Sequence, residues 1–346
     1  IITSAISDRY GLKLYVAEGH NDKLMPNLAK SARLILSIYS GIIVFGAIMF
    51  SIAGMPVFDA IIHSISAVAT AGFSSRPEGL MYFSNQSNFW AIQTVAILLM
   101  ILGSINFLIH MFIITGKFKK AFRDCEIKLF LILSLIFIPL IFIAGLCHKG
   151  TNGAGKTLLE TTFTFISSLT TTGFSNVADL TTLGEGVLFL AVIANSIGGG
   201  MGSTSGGFKL YRLAVAGKSF YWSTKEKLSS SNLIYPHYIW RCGEQKEVST
   251  NEVAESFGYI LLYIATICIG AFLITIFDTK WTYGQSIFEF SNALSSTGLT
   301  IGLTAAGNAG AKWVLIFGMF AGRLEILALA FACYRLFKDI FRKEII

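Results

Sequence analysis

Long apolar stretches occupy roughly 34–54, 89–114, 128–147, 186–201, 207–222, 257–277 and 311–335. A helix that crosses a bilayer needs about 20 mainly apolar residues, so these stretches predict spanning helices. Three shorter stretches, about 57–70, 157–170 and 283–296, fall between spanning ones and reach only part of that length. Each ends in a turn of Thr, Ser, Ala and Gly. An ordinary connection would be polar throughout. An apolar half-helix closed by a glycine turn predicts a re-entrant loop, which is tolerated at membrane depth only where protein or a water-filled cavity surrounds it.

Composition agrees with this pattern. Of 346 residues, 53% are hydrophobic and 14% charged, whereas soluble domains carry roughly 25% charge. The fold class is therefore an all-α polytopic membrane protein. The five cysteines, Cys125, Cys147, Cys242, Cys268 and Cys333, form no CxxC pair or Cys/His cluster, which predicts neither a disulfide framework nor a metal site. Of 27 lysines and arginines, 21 lie in 1–33, 115–128, 208–250 and 335–346. The positive-inside rule places those segments in the cytoplasm, so the half-helices enter from outside. Attraction to the cytoplasmic face accounts for the basic pI without a nucleic-acid partner. The chain starts at Ile1, and its first 30 residues lack a signal peptide's basic start, apolar middle and small-residue cleavage site. That reads as a segment beginning partway through a longer protein.

Gly150–Thr157, "GTNGAGKT", fits the phosphate-binding pattern G-x-x-x-x-G-K-[ST]. Its chemistry requires a buried strand before it and a helix after it. Here an apolar run of spanning length containing Pro139 precedes it, and the match falls on the external side. A nucleotide-binding membrane protein is thus one alternative. A membrane enzyme is another, although no His/Asp/Glu cluster marks a catalytic centre.

The three half-helices end alike, in "SAVATAGFSS" (Ser66–Ser75), "SSLTTTGFSN" (Ser167–Asn176) and "NALSSTGLTI" (Asn292–Ile301). Gly72, Gly173 and Gly298 are 101 and 125 residues apart, so helix, half-helix, glycine turn and helix form a repeated unit. Such a turn suits cation dehydration. Consecutive backbone carbonyls can replace potassium's hydration shell, glycine supplies positive φ, and a half-helix C-terminus favours cations. Asp59 and Glu160 lie 13 residues before their glycines, with Gln285 at the third position; an acid there suits a helix start. The competing reading of any single turn is close packing of small residues.

The filter turns, "NSIGGGMGSTSGGFKLYR" (Asn195–Arg212), "GRLEIL" (Gly322–Leu327) and "AEGHNDKLMPNLAKSAR" (Ala17–Arg33) together resemble the Trk/Ktr/HKT superfamily of potassium transporters, closest to the bacterial TrkH type. The resemblance implies helix–pore half-helix–helix units around a central ion pore. It divides the chain into a cytoplasmic linker at 1–33 and pore repeats at 34–115, 116–217 and 256–346, the second to fourth of four. Residues 218–255 are the segment that docks a cytoplasmic nucleotide-binding regulatory ring of the TrkA/KtrA kind. It assigns a potassium filter to Ala69, Thr70, Ala71 and Gly72, to Thr170, Thr171, Thr172 and Gly173, and to Ser296, Thr297 and Gly298. The intramembrane gating loop at 195–207 includes Gly198, Gly199, Gly200, Gly202, Ser203, Gly206 and Gly207, with close helix packing as the competing reading of those glycines. Arg323, expected to be buried in an apolar helix, adds an electrostatic barrier; Glu325, two residues on, is not expected to pair with it. His63, His110, Asn106 and Glu289 read as packing or hydrogen-bonding residues. The implied function is potassium uptake, channel-like or as a symporter, by a homodimer in the bacterial inner membrane. No cofactor is expected on this chain; the nucleotide belongs to the regulatory partner.

Overall fold

The computed structural model describes residues 28–150, 153–229 and 237–326, together with Leu329 and Arg335. The linker 1–27, most of the motif Ala17–Arg33, Thr151, Asn152, Cys333 and the C-terminal end lie outside the described residues. Among the described residues, three helices are long and apolar enough to cross a membrane: Arg33–Ile52 within α1 (Leu28–Ile52), α6 (Cys125–Lys149) and α10 (Thr250–Phe277). Their large side chains face outward. Leu131, Leu135 and Ile143 of α6, and Leu261 and Phe272 of α10, are exposed, as lipid-facing surfaces require. α6 continues unbroken through Pro139.

Each of these helices leads a unit. In the first, α1 and α3 (Phe89–Ser104) flank the half-helix α2 (Val57–Val68). In the second, α6 and α8 (Glu185–Ile197) flank α7 (Ala154–Leu169). In the third, α10 and α13 (Ala309–Arg323) flank α11 (Tyr283–Leu294), with the short α12 (Leu303–Ala306) between α11 and α13. Local sequence fixes the starts. Pro56 precedes α2, Thr282 and Gln285 form a capping box on α11, and Asn308 caps α13. The units join by a repeated contact: α3 packs on α7, and α8 packs on α11. One core runs through all three units, with Phe50, Phe83, Phe163, Phe165, Phe288 and Phe290 fully buried in it.

The stretch near 89–114 is not one straight span. α3 and α4 (Phe107–Ile114) meet at 108°. The Asn106 side chain accepts from Leu108 N–H, starting a new helix after Ile105 takes extended backbone. The stretch 186–201 likewise ends early, at Ile197, and α9 (Leu210–Leu228) resumes beyond a glycine-rich loop. α5 (Phe118–Arg123) connects α4 to α6. β1 (Tyr238–Arg241) and β2 (Glu244–Glu247) form an antiparallel hairpin before α10.

Candidate functional site

All three half-helices end in the same backbone motif. The cap residues Ala69, Thr170 and Ser295 are right-handed, and Thr70, Thr171 and Ser296 follow with φ of 47°, 52° and 56°. Ala71, Thr172 and Thr297 come next, then Gly72, Gly173 and Gly298 with φ of 71°, 88° and 89°. The N–H groups of Ala71, Thr172 and Thr297 reach back to Ser66, Ser167 and Asn292 carbonyls at 2.9 Å each. This is a Schellman closure, but with Thr or Ser where glycine normally sits. A β-branched residue in the left-handed region is an outlier, and such strain costs on the order of 1 kcal/mol.

The turns stand shoulder to shoulder. A Cβ on Gly72 would come within 2.2 Å of the Thr172 carbonyl oxygen, and one on Gly173 within 1.9 Å of that of Thr297. Around Gly298 nothing lies within 4 Å of that position. The ends of this arc are accordingly open. Phe174, after the middle glycine, is 2% exposed, whereas Phe73, after the first, is 76% exposed. Thr170, Thr171 and Thr172 are buried, while Ala69 at one end and Ser296 and Gly298 at the other are exposed. Among the described residues, no N–H or O–H donates to a backbone carbonyl of any of the four residues in these turns. Buried carbonyls are normally paired, and those of the middle turn have no donor from within the described residues.

The segments after the first and third glycines are pinned to their half-helices. His63 and Ser74 hydrogen bond at 2.9 Å, and the Thr300 hydroxyl donates to Glu289 at 2.7 Å. Both pairs join the ninth residue before the glycine to the second after it. Arg76 pairs with Asp59 at 2.9 Å. His63, Glu289, Asn106 and His110 thus all serve as hydrogen-bonding residues; His110 Nε2 is 2.8 Å from Leu102 carbonyl oxygen. Asp59 is in the first turn of α2, but Glu160 is not at a helix start. α7 begins at Ala154, and Glu160 is gripped by Lys149 at 2.6 Å and Lys156 at 3.8 Å. The phosphate-loop spelling therefore follows a helix rather than a strand, and its lysine faces a carboxylate.

The loop Gly198–Lys209 lies against the helix-side edge of the turns. Gly206 N–H donates to Thr171 Oγ1 at 2.6 Å, and a Cβ on Gly206 would come within 1.8 Å of Ser295 carbonyl oxygen. Thr70 Oγ1 donates to Thr204 Oγ1 at 3.1 Å. Gly198 and Gly207 touch each other through backbone, folding the loop back on itself. Gly199 and Gly200 press on the α3 end, with Gly200 N–H donating to Ser104 carbonyl. Gly202 lies against Asn106, and Ser203 donates to Gly200 carbonyl at 2.6 Å. Glu126, buried at the start of α6, accepts Met201 N–H at 2.9 Å. Met201 also joins a small core with Cys125, Tyr211, Val215, Ile239 and Val248, which places the loop and the hairpin in one cluster. Asp124 accepts Cys242 N–H at 2.8 Å from the hairpin turn.

Arg323 departs from expectation. It is exposed rather than buried, because α13 ends there and the chain turns away through Glu325 with φ of 60°. Glu325 pairs with Arg212 at 3.0 Å instead of with its near neighbour. The expected site residues missed Ser295, Thr204 and Glu126. Ser295 was legible as the third residue before Gly298, matching Ala69 and Thr170. Nothing in sequence spacing ties Glu126 to a loop 75 residues away.

Comparisons with known proteins agree over most of the chain. A family model described as TrkH, cation transport protein, matches residues 5–338. The Trk system potassium uptake protein TrkH of Salmonella typhimurium is 27% identical over 332 residues, covering 92% of this chain and 65% of that protein. The Trk system potassium uptake protein TrkI of Halomonas elongata is 29% identical over 327 residues, covering 92% and 64%. The crystal structure of the potassium transporter TrkH from Vibrio parahaemolyticus has the same fold, with a TM-score of 0.75 at 24% identity over 89% of this chain and 65% of that one. The chain spans about 65% of the length of the relatives it matches.

Proposed function

Because the chain belongs to the TrkH family of cation transport proteins, we propose that it forms three quarters of a potassium uptake pathway in the bacterial inner membrane. The observation that carries this reading is the set of unpaired carbonyls in three backbone-equivalent turns that abut through glycine. Carbonyls so arranged replace water around a cation. The units at 34–115, 116–217 and 256–346 act as three pore repeats, and a fourth turn, supplied from outside the described residues, stands beside Gly298. The filter is then Ala69–Gly72, Thr170–Gly173 and Ser295–Gly298. The loop Gly198–Lys209 is its gate, since it closes one side of the turns and has two hydroxyl attachments to them. Arg323, exposed at the end of α13, acts as a positive charge on the same passage. The hairpin and the segment 218–255 are the docking surface for a nucleotide-binding regulatory ring, and the protein works as a homodimer.

Rubidium uptake into potassium-starved cells expressing the full-length protein tests this function. Gly173→Ala drives a Cβ into the Thr297 carbonyl and is expected to abolish uptake while the protein still reaches the membrane. Wild-type uptake by that variant overturns the filter assignment.

A further inference from the structure

The hairpin and the loop Gly198–Lys209 meet across one residue. Glu126 Oε1 accepts Met201 N–H at 2.9 Å, and Asn106 Nδ2 donates to Met201 carbonyl oxygen at 2.5 Å. Side chains from two elements thus hold both polar groups of the same backbone residue, and each leads on to the hairpin. Asp124 accepts Glu126 N–H through one carboxylate oxygen and Cys242 N–H through the other, at 2.8 Å each. Asn106 Nδ2 lies 4.0 Å from Cys242 Sγ. The Met201 side chain packs in one core with Ile239 and Val248. The hairpin turn is itself wedged in place. A Cβ on Gly243 would come within 3.0 Å of the Phe112 ring and 3.1 Å of the Lys120 side chain, and Arg123 lies over the Trp240 ring at 4.9 Å. Asp124, Glu126 and Asn106 are all buried, where hydrogen bonds are stronger than in water. Past Met201 the loop turns at Gly202, with φ of 80°, and then meets the filter turns through Thr204 and Gly206. Its glycines Gly198 and Gly207, with φ of 73° and 77°, give it hinge points on both sides.

We infer that Asp124, Glu126 and Asn106 are positioning residues that lock the hairpin turn to the loop, so that a displacement of Cys242 moves Met201 and, through it, the contacts at Thr204 and Gly206. The positive-inside rule places the hairpin in the cytoplasm. The clamp therefore carries a cytoplasmic displacement to a loop that touches the filter turns. The coupling is reciprocal: what loosens one end loosens the other. The coupling stands on these contacts alone; its consequence for transport rests on the reading of the loop as a gate.

Hydrogen–deuterium exchange of the full-length protein, read by mass spectrometry over the loop, the hairpin and α2, tests the coupling. Asp124→Asn keeps an acceptor for Glu126 N–H, and with it the helix cap, but gives up the second oxygen that holds Cys242. It is expected to speed exchange about fivefold in the hairpin turn and also in the loop, although the side-chain bonds of Asp124 go to Glu126 and Cys242 and not to the loop. Glu126→Ala should speed both by a similar factor. Glu126→Gln, which keeps an oxygen for Met201 N–H, should exchange as wild type does. Glu244→Ala, exposed at the start of β2 and outside this set of bonds, should change neither. Faster exchange in Asp124→Asn that is confined to the hairpin, or spread equally over α2, overturns the coupling. Rubidium leak in the same variants separates the two readings. A loosened loop should raise leak; a loosened loop with wild-type leak removes the gate assignment and leaves the coupling in place.

Discussion

The residue that gives the turns their character is the one two places before each glycine. Thr70, Thr171 and Ser296 adopt a left-handed conformation that glycine would adopt without strain. Two of them hold the loop with their hydroxyls: Thr70 donates to Thr204, and Thr171 accepts from Gly206. The strain therefore has a counterpart in attachment. Thr171→Gly relieves about 1 kcal/mol of strain and gives up one hydrogen bond worth about 1 kcal/mol. Its melting temperature in detergent should stay near wild type, while rubidium leak should rise. A large loss of stability with unchanged leak would show that the hydroxyl holds the turn and not the loop. This trade was invisible in sequence, where threonine reads as small and polar. The glycines were legible there because their repetition at matching positions outweighs composition; the residues of opposite backbone hand preceding them were not.

At the scale of elements, all three outer helices stop near the turns. α3 breaks at Ser104, α8 at Ile197 and α13 at Arg323. Gly103 and Gly322 press on the carbonyls of Val68 and Leu294 just before the first and third of these breaks. Hydropathy sees one run from 89 to 114 because Ile105 and Phe107 are as apolar as their neighbours; the bend is written only in Asn106, a cap whose amide also donates to Met201 carbonyl at 2.5 Å. The half-helices, in contrast, were legible, since each apolar stretch is too short to span. Across these breaks Glu126 joins α6 to the loop. Glu126→Gln keeps an oxygen for Met201 N–H and should leave stability within about 1 kcal/mol. Glu126→Ala strands that buried N–H and should cost about 1–3 kcal/mol. Chemical denaturation of the two variants side by side measures the difference, and equal losses would place the effect in charge rather than in the hydrogen bond.

Across the whole molecule the turns form an open arc, and its two ends differ. Gly298→Ala meets only conformational strain and should cost about 1 kcal/mol in the chain 1–346. Gly173→Ala must also displace the Thr297 backbone and should cost about 3 kcal/mol. Thermal unfolding of both variants checks the order, and equal losses would show that the approach to Thr297 carries no energetic weight. The arc also has a direction in time. Gly72 leans on a carbonyl 100 residues later, and Gly173 on one 124 residues later. At roughly 5–20 residues per second on the ribosome, each turn is made about 5–25 s before its support exists. The first two turns thus enter the bilayer before the backbone they lean on has been made. A chain stopped after α8 therefore has its first turn already supported and its middle glycine still without the backbone it rests on.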